Sequence, residues 1–328
     1  MLSRVAERIY WMARYMERAE NIARLINVNT LLLLDLPRGV PLGWDALINM
    51  TGANEIFAEF FNEPNERNVV QFMLVDRRHP VSLLSALASA RENARTIRDI
   101  IPREAWENIN ELYLRAREEL PSSLARGKRY EALFAVIESS QGFNGILAGG
   151  MLHNQAYDFL LLGRNLERAD MVSRIIDVRT ADALPEELTS LTPWRSLPWM
   201  NLLRSLSAYQ SFRQYIQGVI DRRDVLEFLF KNNEFPRAIR CAIDEVCTAV
   251  QRLPNNEDTL ALCQTLGQRV ERARIRRFDD PAVHRFVDGI QKKLGGIHDA
   301  VSSTWFLHRE AGAVKRRRAS RGGGANKN

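Results

Sequence analysis

Cysteine and histidine are scarce in this chain. Three cysteines, Cys241, Cys247 and Cys263, stand among 328 residues. The number is odd and no two have Cys-x-x-Cys spacing, which argues against a disulfide framework and a structural zinc. They read as reduced core residues, and we expect a cytoplasmic protein. Five histidines, His79, His153, His284, His298 and His308, leave few nucleophile–base pairs. No Gly-x-Ser-x-Gly, Walker, His-Glu-x-x-His or Rossmann pattern occurs, so the usual hydrolase, nucleotide-binding and zinc-protease signatures are missing. Long apolar runs are missing too. Leu31 to Leu34 ends at Asp35, too short to cross a bilayer, and Arg4, Glu7 and Arg8 break up any signal-peptide core. Strand alternation is nearly absent. No cofactor is called for.

Charge of one sign is confined to one end. The formal net charge is +6, and residues 313–328 contain Lys315, Arg316, Arg317, Arg318, Arg321 and Lys327 without an acid. The body, 1–312, is therefore near neutral, and a broad nucleic-acid-binding face is not implied. Contact with nucleic acid or anionic lipid is left to the tail. With Gly322-Gly323-Gly324 inside it, the tail reads as a solvated, disordered terminus.

What the chain has is an internal repeat. Shifted by 150 residues, Ile9 to Thr30 falls on Phe159 to Thr180 without a gap. Arg14, Glu17, Arg18, Ala19, Arg24, Ile26, Val28 and Thr30 meet Arg164, Glu167, Arg168, Ala169, Arg174, Ile176, Val178 and Thr180, and Glu20 meets Asp170. With small gaps the match runs on. Gly43 to Ile48 resembles Pro198 to Leu203, and Val69 to Leu74 before Pro80 resembles Val225 to Phe230 before Pro236. Leu152-His153 pairs more weakly with Leu307-His308. A repeat this long is a duplicated multi-helix half rather than a solenoid unit. The expected fold is therefore an all-α helical bundle of two pseudo-symmetric halves, about 1–150 and 151–312.

On a helical wheel, Ile9, Met12, Met16, Ala19, Ala23 and Ile26 form one apolar face, while Arg14, Glu17, Arg18, Asn21 and Arg24 fall on another arc. The second copy repeats this with Phe159, Leu162, Leu166, Ala169 and Ile176 against Arg164, Glu167, Arg168 and Arg174. Glu20 and Asp170 lie at the edge of the apolar face. The small Ala13 and Gly163 predict a close helix crossing there, with the acids and arginines partly buried. Arg14 with Glu17, and Glu20 with Arg24, have the spacing of intrahelical pairs. Two readings follow. The twelve candidate residues, these ten charged positions with His153 and His308, form either a structural ion-pair network or a ligand site. A metal is disfavoured, because carboxylate bundle sites use Glu-x-x-His on one helix and neither histidine has that spacing.

Helical periodicity extends over 2–34, 44–61 (broken or kinked near Thr51-Gly52), 69–74, 81–101, 103–120, 128–153, 157–180, 199–220, 225–230, 236–253, 258–278 and 279–312. Residues 181–198 are irregular, with Pro185, Pro193 and Pro198. Gly142, Gly145, Gly149 and Gly150 cluster inside one helix, which points to close helix packing.

The opening Leu2 to Arg24, with Glu17-Arg18 at its centre and Glu167-Arg168 as its duplicate, closely resembles the bacterial alpha-E domain family, an α-helical domain with a Glu-Arg motif. The likeness runs to about residue 312. Genes of that family neighbour those of ATP-grasp peptide-ligase-like and transglutaminase-like proteins. The resemblance thus implies a part in a peptide- or amide-bond-forming system, with those two proteins as partners, and supplies no catalytic residues. We expect a non-catalytic helical accessory or scaffold protein. The alternative is an enzyme of the same pathway with a carboxylate and arginine site between the halves.

Overall fold

A computed structural model describes residues 2–35, 43–181 and 196–306. Among these residues there are fourteen α-helices and no strand. Helix α1 (Ser3–Asp35) is followed by α2 (Asp45–Thr51), α3 (Asn54–Phe60), α4 (Glu66–Leu74), α5 (Leu83–Arg95), α6 (Arg103–Glu119) and α7 (Arg126–Gly150). Then come α8 (Gln155–Ala181), α9 (Leu197–Ser205), α10 (Tyr209–Tyr215), α11 (Arg222–Lys231), α12 (Ile239–Gln251), α13 (Glu257–Arg272) and α14 (Asp280–Val301), which runs into a π turn over Ser302–Phe306. His308, the basic stretch 313–328 and most of the irregular stretch 181–198 lie outside the described residues. No helix among those described is long and apolar enough to cross a membrane.

Helix α1 is buried nearly all round. Ile9, Tyr10, Met12, Met16, Ala19, Ile22, Ala23, Leu25 and Ile26 all lie in the core. A helix with apolar residues on so much of its circumference must be surrounded, and α1 packs against α8, α5, α7 and α9. Helix α8 is enclosed likewise by α1, α12, α14 and α2. The two run side by side and parallel, because contacts climb in step: Tyr10 meets Gly163, Arg14 meets Glu167, Glu17 meets Arg168 and Asn29 meets Arg179. The predicted close approach is there. A Cβ added to Gly163 would overlap the Tyr10 carbonyl oxygen and stand 3.1 Å from Tyr10 Cα, so glycine sets the spacing of the two helices. One hydrophobic cluster extends through the helices on both sides of this pair.

The surrounding helices start on local signals. The side chains of Asn65, Ser82, Asp221 and Asp279 accept from backbone N–H groups of Asn68, Ser85, Asp224 and Ala282 and cap α4, α5, α11 and α14. Gly52, left-handed at φ 67°, ends α2. Two expectations fail. The single helix over 199–220 is two, α9 and α10, parted where Ser207 turns left-handed at φ 53°, a break that no glycine or proline announces. The glycines of α7 are not packing contacts as a group. A Cβ at Gly145 or Gly149 would meet nothing within 4 Å, and only Gly150 sits tight, against Pro102.

Candidate functional site

The charged residues of α1 and α8 face one another across the helix pair. Glu17 accepts two hydrogen bonds from Arg168, Nε to Oε1 at 2.9 Å and Nη2 to Oε2 at 2.8 Å. Glu167 accepts the same fork from Arg18, Nε to Oε1 at 2.6 Å and Nη2 to Oε2 at 3.0 Å. These planar, bidentate pairs are the strongest geometry available to arginine and carboxylate. Arg14 adds Nε to Glu167 Oε2 at 2.7 Å. The expected Arg14–Glu17 pair is thus replaced by a crossing pair. Arg14 also donates to Tyr10 Oη at 3.1 Å, and Tyr10 Oη lies 2.8 Å from His298 Nδ1.

Within each helix the second acid takes its own arginine. Arg24 donates to Glu20 Oε1 at 2.9 Å and reaches Ser207 Oγ at 2.6 Å. Arg174 donates to Asp170 Oδ2 at 2.9 Å and to the Met50 carbonyl at 3.3 Å. The first is the pair the sequence predicts, and the second repeats its i,i+4 spacing.

One partner is new. Arg237, in the turn before α12, reaches Glu17 Oε1 at 2.9 Å, Asn21 Oδ1 at 2.8 Å and Glu20 Oε1 at 2.5 Å. It comes from the first residues of the stretch predicted as a helix over 236–253, just before the helix begins at Ile239, far along the chain from Glu17. Its only signal in the sequence is its place just after Pro236, as Val81 follows Pro80 in the stretch that resembles it.

Burial alone would push Glu17 up, but Arg168 and Arg237 outweigh it and hold the carboxyl at about 2. Burial alone would likewise push Glu167 up, but Arg14 and Arg18 outweigh it, and its pKa is also lowered. Both are anions at neutral pH. Arg237 is pulled down by complete burial and by Arg168 and Arg24 against the pull of Glu17 and Glu20, yet a guanidinium starts so basic that it stays charged. Arg164 is the odd member. It lies on α8 one turn before Arg168, its Nε is buried without a hydrogen-bond partner, and burial together with Arg168 lowers its pKa. Tyr10 is pushed up to about 12 by burial and remains a neutral donor or acceptor.

Nine of the ten charged candidates therefore join in ion pairs, and Arg164 stands beside them without an ion pair among the described residues. His153 is not part of this group. It is exposed, stacks on Tyr157 at 3.9 Å and lies 3.1 Å from the Ala148 carbonyl. His308 falls outside the described residues. Among the described residues no group of three or more His, Cys, Asp or Glu is placed to hold a metal. A cavity of about 130 Å³ opens beside the cluster, lined by Arg18, Ile22, Met50, Val81, Glu167, Asp170 and neighbours.

A Glu-Arg step on each of two buried helices, each engaging the other, is the central feature of the molecule. Residues 1–306 match the Alpha-E family, described as a predicted alpha-helical domain with a conserved ER motif. The chain belongs to this family. As an Alpha-E chain it is also similar to uncharacterized proteins of Mycobacterium bovis and Mycobacterium tuberculosis, in each case 21% identical over 329 residues, covering 90% of this chain and 35% of the relative. The Alpha-E chain thus spans about a third of the length of these curated relatives. No solved structure matches it. The Glu17-Arg18 step of this Alpha-E domain sits at the helix pair, where Glu17 and Arg18 each bond across to α8.

Proposed function

We propose that this Alpha-E chain is a non-catalytic helical accessory protein that works with an ATP-grasp-type peptide or amide ligase and a transglutaminase-like protein. One observation carries the reading. The acids that acid–base chemistry would need are already engaged: Glu17 and Glu167 are buried, lowered in pKa and each bound by two arginines. A general base near neutral pH needs the opposite shift. The partners rest on the family resemblance. The relatives, nearly three times as long, support a module that acts beside other domains. Free Cys241, Cys247 and Cys263 fit a reducing cytoplasm. Co-purification tests the role: a stable complex with the neighbouring ligase is expected, and no complex at micromolar concentrations would count against it.

The proposal includes descent from a duplicated half. Helices α5 and α12 are both 13 residues long and both begin three residues after a proline, Pro80 or Pro236. The left-handed residues Gly52 and Ser207 follow α2 and α9, and single 3₁₀ turns at 120–122 and 275–277 follow α6 and α13. The reciprocal forks of Arg18 and Arg168 fit a two-fold relation between α1 and α8. The alternative, an enzyme using these acids and arginines, draws on the cavity beside Glu167 and Asp170. If Glu17→Gln and Glu167→Gln remove an activity while leaving stability intact, that alternative replaces the accessory role.

A further inference from the structure

The cavity lies where the second half of the molecule has an arginine. By the proposed correspondence of the halves, Glu167, Asp170 and Val81 occupy the places of Glu17, Glu20 and Arg237. Arg237 fills its side: its fork bridges Glu17 Oε1 and Glu20 Oε1. On the other side Val81 is too short to reach, and the space stays open. The acceptors left over there are the matching ones. Among the described residues Glu167 Oε1 takes only Arg18 Nε, whereas Glu17 Oε1 takes Arg168, Arg237 and the Asn21 amide together. Asp170 spends Oδ2 on Arg174, and its Oδ1 has no partner among the described residues.

We propose that this cavity binds a guanidinium group supplied from outside the chain. About 130 Å³ exceeds many times the roughly 10–15 Å³ that admits one water, so a planar guanidinium fits with part of its stem. Two carboxylate oxygens from neighbouring turns suit a fork better than a compact ammonium. Ile22, Met50, Met171 and the half-buried Val81 offer an apolar wall to the stem. The half-site across the pair shows that four arginines beside two acids are tolerated: Arg24, Arg164, Arg168 and Arg237 surround Glu17 and Glu20. The ligand is either a small guanidine or an arginine side chain of another polypeptide. This inference goes beyond the accessory role and uses only the correspondence of the halves.

The test titrates the full chain with methylguanidinium, followed by NMR, with n-butylamine, urea and inorganic phosphate in parallel. Saturable methylguanidinium binding in the millimolar range is expected, weakened about tenfold or more by Asp170→Asn and abolished by Val81→Arg, whose side chain fills the site in cis. A Gly-Arg-Gly peptide binding about tenfold more tightly than methylguanidinium points to a polypeptide partner, and equal or weaker binding points to a small guanidine; either result supports the site. Absence of saturable binding by the wild-type chain up to about 50 mM overturns it, as does binding that neither substitution alters. Saturable phosphate binding at these residues instead also overturns it, by showing that Arg18 and Arg174 read the ligand. A crystal structure of Val81→Arg separates the two premises. If its guanidinium seats on Glu167 and Asp170 while the wild type binds nothing, the halves correspond and the ligand does not exist.

Discussion

Glu17, buried, and Arg164, half-buried with its Nε enclosed, are charges with opposite fates. Glu17 has two arginines and an asparagine amide on its carboxylate. Removing its charge strands those arginines, and breaking a buried pair costs about 3–5 kcal/mol. Glu17→Gln should lose that much in urea unfolding, while Arg164→Met, which deletes a charge without a partner, should be neutral or raise stability by about 1 kcal/mol. The sign with pH follows. The ordinary carboxyl value is 4.5 and the folded value about 2, so the stability from Glu17 is complete above 4.5 and is lost as pH falls toward 2. Thermal melts of the wild type should fall through that window, and those of Glu17→Gln should fall less. His79 offers a second window. Both its ring nitrogens are buried without hydrogen bonds, the ring stacks on Phe72 at 4.2 Å, and burial brings its pKa down to about 4. It must fold neutral, so its contribution is complete above 6.5 and is lost as pH drops to 4. Phe235 lies against Phe228 in a comparable ring contact, with no titrating group. His79→Phe should keep the stack, remove the titration and flatten the melting temperature between pH 6.5 and 4.

Among the elements, glycine separates what the sequence discloses from what it does not. Gly163 and the four clustered glycines of α7, Gly142, Gly145, Gly149 and Gly150, look alike in sequence, each set in helical periodicity. Gly163 was legible because its repeat partner Ala13 is also small and both sit beside the charged arc. The glycines of α7 had no such second indication, and two of them face open space. Gly163→Ala should cost several kcal/mol, since the collision is with the Tyr10 backbone and one helix must move. Gly145→Ala and Gly149→Ala should each stabilise by about 0.5–1 kcal/mol through helix propensity alone. Urea unfolding of the three variants gives the contrast directly. Arg237 marks the other limit of a sequence reading. Periodicity identifies residues that share a helix face, and it assigned Glu20 to Arg24 correctly. It has no hold on a turn residue that arrives from across the fold. Arg14 failed for a related reason: spacing permits a bond to Glu17, but the parallel partner helix places Glu167 within 2.7 Å.

At the scale of the whole molecule, the ion pairs are divided in a way that binds the two halves. Both arginines on Glu17, Arg168 and Arg237, come from beyond residue 150. Both arginines on Glu167, Arg14 and Arg18, come from before it. Neither half neutralises its own central acid. The same helix pair carries the apolar faces of Ile9, Met16, Leu162 and Leu166 into one cluster, so separation exposes core and strands charge together. Fragments 1–154 and 155–328 should therefore each lack a cooperative thermal transition. Mixed at equal concentration, they should recover one, with a midpoint that rises with concentration as a bimolecular association requires. Circular dichroism melts of each fragment and of the mixture decide the matter. Two independently folded halves with sharp transitions of their own would mean that the forks across α1 and α8 decorate an interface that apolar packing within each half already sustains.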